Sequence, residues 1–396
     1  MKGMRIALLL LLIGAASLLT MGSQAQDSAD ALLARIEAAQ SPNRQGYDGL
    51  TLQQLMERFR VPGVSLVIFK DFKIHAVKTY GVADVSSGAP VTPETLFQAA
   101  SISKPVTATA VVRLAQQGGI SLDEDVNRYL KSWRVPENEH TRARPVTLRA
   151  LLSHTSGTGD GFGFPGYKPA APRPTVQQIL NGEPPSNTGK VNWERAPFVA
   201  QKYSGGGSTL VQLTLIEKTG KEFPALLQEM VLGPAGMTQS AYEQPLSEAR
   251  DKNAARGHNG RGAAGDVKWH VYPEYAAAGL WTTPTDLAKL AIEIQKSLQG
   301  QSNFLSRSAA LELVSPVGTG PFAVGFSVER RGEGWYFMHG GSNWGFQCNL
   351  IAHRLKGYGM AIMTNGDAGG ALIREIEARV AAAYNWDSLD KAVPRF

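Results

Sequence analysis

Cysteine is nearly absent from this chain: Cys348 is the only one in 396 residues. That excludes an intrachain disulfide and a cysteine-rich metal site, so stability has to come from packing. Long apolar runs are scarce too. The main one, from Ile6 to Ile13 and weakly on to Leu19, is shorter than the ~20 residues a spanning helix needs. Charge of one sign is not concentrated either. The 40 Lys+Arg and 34 Asp+Glu give a formal +6 with no basic run and no nucleic-acid motif, which argues for a mildly basic solvated surface and against nucleic acid as a partner. The seven histidines show no His-x-x-x-His spacing, so no metal is expected. Gly157, Gly159, Gly161 and Gly163 lack the preceding strand and following helix that a phosphate loop requires, and no cofactor is expected.

What is present is an ordinary globular composition, 43% hydrophobic and 19% charged, with ample length for a large core. Lys2 and Arg5 precede the apolar run, and Ser23-Gln24-Ala25 follows it as a small-x-small cleavage site. This is the three-part pattern of a secretory signal peptide over residues 1–25, which implies export to the periplasm or the extracellular space. Cleavage there removes two cations and no acid, so +6 becomes +4. An uncleaved anchor is the alternative, and the only expected tie to a membrane. Residues 26–47 read as a linker or leader helix, and 48–396 as one domain.

Within that domain, helical spacing from Leu50 to Phe59 stops at Val61-Pro62-Gly63. Val64–Phe69 and Ile74–Tyr80 read as two strands joined by a turn. A helix is expected from Ser101 to Gln117, with Pro105 tolerated in its first turn. Asp123 to about Gly300 is mostly helical, broken by a loop from Gly157 to Pro174 rich in glycine, proline and aromatics. Phe162, Phe164, Tyr167 and, further on, Trp344 are candidates to line a substrate site. Strands return at Phe322–Arg330, Gly334–Met338, Phe346–Ile351 and Met360–Thr364, before a closing helix from Ala371 to Tyr384. The fold class is α+β: an antiparallel sheet (about 48–100 and 301–396) flanked by terminal helices, with a large all-helical insertion (about 101–300). Cys348 falls in a predicted strand and is expected to be a buried, inert thiol.

Three short segments carry chemistry. In Ser101-Ile102-Ser103-Lys104, a hydroxyl and an amine three residues apart share one helix face, which pairs a nucleophile with a base without a histidine. The N–H of Ser101, at a helix start, is a natural oxyanion donor. Tyr203-Ser204-Gly205-Gly206-Gly207 is a glycine-rich turn from which a phenol can project into a cleft. His339-Gly340-Gly341-Ser342, placed at the end of a strand, lets a substrate backbone come close, with the Ser342 N–H as second oxyanion donor. Taken singly, each has a plain structural reading: a helix cap, a packed aromatic, a satisfied histidine. Lys218-Thr219-Gly220 reads as a helix C-terminus capped by its glycine. His154 reads as a structural residue.

Taken in order, these segments resemble the three active-site motifs of the serine β-lactamase/penicillin-binding-protein superfamily. The resemblance is closest to the branch of class C β-lactamases, D-alanyl-D-alanine carboxypeptidases, D-aminopeptidases and family VIII esterases. It extends to Val61-Pro62-Gly63-Val64, Tyr80–Asp84, Val91–Phe97, Leu148–Gly157, Gly233–Met237, Ala278–Leu287 and Thr364-Asn365-Gly366, roughly Asp48 to Tyr384. It implies that Ser101 is acylated, that Lys104 shares its proton, and that Tyr203 acts as general base. It also implies that His339 takes the place of the lysine of the family's Lys-Thr-Gly motif, with Gly340, Gly341 and Ser342 lining the substrate strand. Gly205 departs from the family's usual asparagine, which argues against efficient β-lactam or D-Ala-D-Ala recognition. The expected function is an exported serine hydrolase cleaving a small amide or ester (D-amino-acid peptide, ester or β-lactam type) through an acyl-enzyme. Its expected partner is a small-molecule or peptide substrate, with the oligomeric state left open. The alternative is a slowly acylated or non-hydrolytic penicillin-binding-like envelope module.

Overall fold

The computed structural model describes residues 28–40, 47–160, 163–332 and 334–387. The expected signal peptide and Phe162 lie outside them. The strands are β1 (Gly63–Lys70), β2 (Lys73–Asp84), β3 (Ala89–Pro90), β4 (Phe97–Gln98), β5 (Trp281–Thr282), β6 (Ser327–Arg331), β7 (Gly334–Asn343), β8 (Phe346–His353) and β9 (Gly359–Thr364). Seven of them form one antiparallel sheet in the order β3-β2-β1-β9-β8-β7-β6. β1 pairs with β9 from Val64↔Thr364 to Phe69↔Gly359, so early and late chain segments meet at the sheet centre.

The helices among the described residues run in the order α1 (Ala29–Glu37), α2 (Leu52–Phe59), α3 (Ser103–Gln116), α4 (Glu139–Ala143), α5 (Leu148–Leu152), α6 (Val176–Asn181) and α7 (Gly205–Thr219). There follow α8 (Phe223–Leu227), α9 (Glu248–Asp251), α10 (Tyr275–Ala278), α11 (Pro284–Leu298), α12 (Arg307–Val314) and α13 (Gly369–Ala383). The whole of β1 except Lys70 is buried, because both sheet faces are covered. Side chains alternate between two cores, as the period of a strand requires. Val64, Leu66 and Ile68 join the apolar residues of α1, α2 and α13 on one face. Val67 and Phe69 join the large core of the helical region on the other. Arg379 of α13 is fully buried on the first face, where it donates to the carbonyls of Ile36, Ala38, Tyr47 and Leu50 and pairs with Glu375. This guanidinium ties the leading helix to the closing one.

The architecture is the α+β arrangement expected from the sequence, with one short strand, β5, inside the helical region and paired with β4. Three strand boundaries differ from expectation by four residues or more, the first being β2, which runs on past Tyr80 to Asp84. β6 starts at Ser327 rather than Phe322, because Gly325 turns the chain with φ +102 and a Cβ there would lie 2.4 Å from the Ala108 Cβ. β7 does not end at Met338 but continues to Asn343, paired with β8 throughout, so His339–Ser342 lie inside a strand. Gly341 removes a side chain that would otherwise push the strand off Ala99 and Cys348.

Candidate active site

Ser101 sits in a single 3-10 turn, Ala100–Ile102, that leads into α3, so the expected helix is split at Ser101. Ala100 holds φ +47, a conformation that costs a non-glycine residue about 1–3 kcal/mol unless its surroundings impose it. They do. The Ala99 N–H donates to the Leu280 carbonyl, the Leu280 N–H to Ser103 Oγ, and the Cys348 thiol to the Ala99 carbonyl at 3.1 Å. β7 presses on the same turn. A Cβ at Gly341 would stand 2.3 Å from Ala99 O, 2.5 Å from Cys348 Sγ and 3.1 Å from Ala100 Cβ. β6 covers β7 only as far as Met338, so the edge of His339–Asn343 is left to the Ser101 turn. Cys348 is buried, and burial pushes its thiol up, so it remains an inert packing group.

Lys104, one helical turn after Ser101, is buried. Its Nζ lies 2.9 Å from Ser101 Oγ and donates to the Ala277 carbonyl, also at 2.9 Å. It stands 4.9 Å from the centroid of the Tyr203 ring, within range of a cation–π contact. Glu274, three residues before Ala277, is completely buried. Burial pushes its carboxyl up to about 8, so at neutral pH it is mainly uncharged and brings little anion to the α10 turn.

Tyr203 is half-buried just before α7. The glycines after it are the first turn of that helix rather than a loop. Ser204 caps it by accepting from the Gly207 N–H at 2.7 Å. The Asp160 carboxylate accepts from Ser204 Oγ (2.7 Å) and from the Gly206 N–H (3.0 Å). A Cβ on Gly206 would strike Val191 Cγ2 at 2.3 Å, so close packing demands glycine there. Gly205 is buried at the first helical position and presents no side chain.

Four rings close the wall beside Lys104. His154 packs on Tyr203 with centroids 4.4 Å apart, and Phe322 meets His154 edge-on at 4.7 Å. Phe322 lies 6.0 Å from His339, and Tyr203 lies 6.3 Å from it. His339 is buried, and its Nδ1–H donates to the Gly340 carbonyl at 2.6 Å, which leaves Nε2 as a bare acceptor. Burial, reinforced by the charge of Lys104, pulls its imidazole down to about 3. The same causes hold His154 well below the usual histidine range. Both imidazoles are therefore neutral at pH 7, and the third motif presents no fixed cation.

The structure thus brings Ser101, Lys104, Tyr203 and His339 together, with Gly340, Gly341 and Ser342 on the adjoining strand. Of the candidate cleft residues, Phe164 packs on Tyr272, Ala277 and Ala278. Trp344 stacks on His270 at 4.4 Å. Tyr167 is buried instead, bridging to Val271 and accepting from the Asn187 N–H, so it anchors the loop rather than lining the cleft. Gly220 caps α7 with φ +68, as the sequence suggests, and Lys218 lies over the Tyr129 ring. Sequence reasoning missed Asp160, Phe322 and the Ala277 carbonyl, and read His154 as merely structural. Only proximity in the fold reveals these groups, since each is far from its partner in the chain.

This sheet, helical region and Ser-Lys-Tyr cluster define a β-lactamase/transpeptidase-like protein. Residues 50–384 match the Beta-lactamase family, and the chain belongs to it. Protein flp of Staphylococcus aureus (strain N315) is 23% identical over 327 residues, 78% of this chain and 61% of flp. The chain therefore spans under two thirds of that relative's length. Esterase EstB of Burkholderia gladioli is 38% identical over 112 residues, 28% of each chain. The solved D-amino acid amidase of Ochrobactrum anthropi SV3 shares the fold with a TM-score of 0.68 at 22% identity, over 84% of this chain and 98% of that one.

Proposed function

We propose that this protein is an exported serine hydrolase that cleaves a small amide or ester through an acyl-enzyme at Ser101. The observation that carries the reading is the position of the Lys104 amine, 2.9 Å from Ser101 Oγ and beneath the Tyr203 ring. A proton leaving Ser101 Oγ passes to the Lys104–Tyr203 pair as the oxygen attacks the substrate carbonyl. The oxyanion is received by the N–H groups of Ser101 and Ser342, where β7 meets the nucleophile turn. The pair returns the proton to the leaving amine or alcohol. A water then attacks the acyl-enzyme, giving its proton to the same pair, which reprotonates Ser101 Oγ as the acid product leaves. The Beta-lactamase family match supports this chemistry, and the names of EstB and of the amidase suggest an ester or a D-amino-acid amide. Neutral His339 and side-chain-free Gly205 favour such substrates over β-lactams, whose carboxylate would find no cation in the third motif.

The test is hydrolysis of p-nitrophenyl butyrate by wild type and by Ser101→Ala and Lys104→Ala. Both variants should lose at least about 10³-fold in kcat, as removal of a nucleophile or its base does. Turnover by Ser101→Ala at the wild-type rate overturns the reading. A stable fluorescent-penicillin adduct with no turnover of esters or amides would favour the non-hydrolytic envelope module.

A further inference from the structure

His154 holds the Tyr203 segment from both sides. Its carbonyl accepts from the Lys202 N–H at 2.8 Å, and its Nδ1 accepts from the Ser204 N–H at 3.2 Å. Its ring packs on the phenol between them, 4.4 Å away at an interplanar angle of 37°. One residue thus binds the backbone before Tyr203, the backbone after it, and the side chain itself. The chain conformation is bent to this end. His154 has φ +58, in the left-handed region that few non-glycine residues enter, and it follows α5 and Ser153 immediately. A backbone N–H can only donate, so Nδ1 is unprotonated and the ring proton of the neutral imidazole is on Nε2. That Nε2 is buried without a partner among the described residues, as is Nε2 of His339. The two histidines are therefore opposite tautomers: His154 offers Nε2–H, while His339 offers a lone pair.

We propose that His154 is the positioning residue for Tyr203, fixing the phenol against Lys104 through the Nδ1 contact with the Ser204 N–H. The inference rests on the reading that Tyr203 moves protons at Ser101, and it adds the group that sets where the phenol stands. Displacing a reacting group by about 1 Å is enough to cost roughly 100-fold in rate.

Three variants separate the two ring nitrogens. In His154→Asn the side-chain oxygen takes the place of Nδ1, and asparagine tolerates positive φ. In His154→Gln the amide nitrogen takes the place of Nε2–H and the Nδ1 acceptor is lost. His154→Leu has neither. With p-nitrophenyl butyrate, kcat should fall about 10- to 100-fold in the Gln and Leu variants, with KM within about two-fold, and His154→Asn should recover most of the loss. Equal kcat in Asn and Gln, or a better Gln enzyme, overturns the proposal. Loss of wild-type activity in this assay would instead count against the hydrolase reading itself. If the variants fail to fold, the tautomers still decide. Nitrogen NMR of the wild-type protein at neutral pH should show His154 protonated on Nε2 and His339 on Nδ1, and a Nδ1-protonated His154 overturns the clamp.

Discussion

Neutral His339 makes a quantitative demand on stability against pH. The unfolded chain binds a proton at that imidazole near an ordinary pKa of about 6.5, while burial and Lys104 hold the folded value at about 3. The folded value is the lower one, so the contribution is fully present above about pH 6.5 and is lost as pH falls toward 3. By pH 5 the unfolded state holds nearly one proton that the fold refuses, and the loss between about pH 7 and pH 5 is about 2 kcal/mol from this one side chain. His339→Asn retains a donor for the Gly340 carbonyl and cannot titrate. Urea unfolding followed by tryptophan fluorescence at the two pH values should therefore show wild type losing about 2 kcal/mol more than the variant. His258 and His353 are also held below the usual histidine range but cancel in the comparison, and His154 is held down first by burial and by the Lys104 charge, both of which the substitution leaves in place. Equal losses, within about 0.5 kcal/mol, would show that His339 is solvated or paired and would remove the argument that this motif lacks a cation.

Three further outcomes follow from the packing. Gly341→Ala places a methyl against the Ala99 carbonyl and Cys348, so it should cost about 1–3 kcal/mol in thermal unfolding and lower kcat by displacing the nucleophile turn. Asp160→Ala removes the carboxylate that holds Ser204 and the Gly206 N–H; about 1–2 kcal/mol should be lost, with kcat falling more than KM rises, as steady-state kinetics would show. Arg379→Leu removes the buried guanidinium that the carbonyls of Ile36, Ala38, Tyr47 and Leu50 share and leaves Glu375 without it; a loss of about 3 kcal/mol in denaturant titration is expected, with ester hydrolysis per folded molecule unchanged.

The sheet was legible because β1, β8 and β9 are short apolar runs bounded by turn residues, and the terminal helices because their apolar spacing is regular. Ser101 and Lys104 were legible because three residues along a helix suffice to make them neighbours. The end of β7 was not. His-Gly-Gly-Ser has little strand propensity, and only the pairing with β8 and the contact with the Ala99–Ala100 backbone keep it extended. Phe322 was assigned to a strand because it begins an apolar stretch, whereas Gly325 turns that stretch so the ring faces Tyr203 and His154. The role of His154 was illegible for another reason: its two partners are about fifty positions away, and nothing local marks a histidine as an acceptor from a distant N–H.

The two glycines of the third motif differ in how far they can change. At Gly341 a side chain would meet backbone and sulfur inside van der Waals contact, whereas at Gly340 the nearest atom to an added Cβ is 3.7 Å away and the residue is exposed. The strand that lines the cleft therefore has one frozen position and one free one, side by side. A side chain added at 340 meets no atom inside van der Waals contact and leaves the Ser101 turn where it is, so that position can be varied singly while the turn stays fixed.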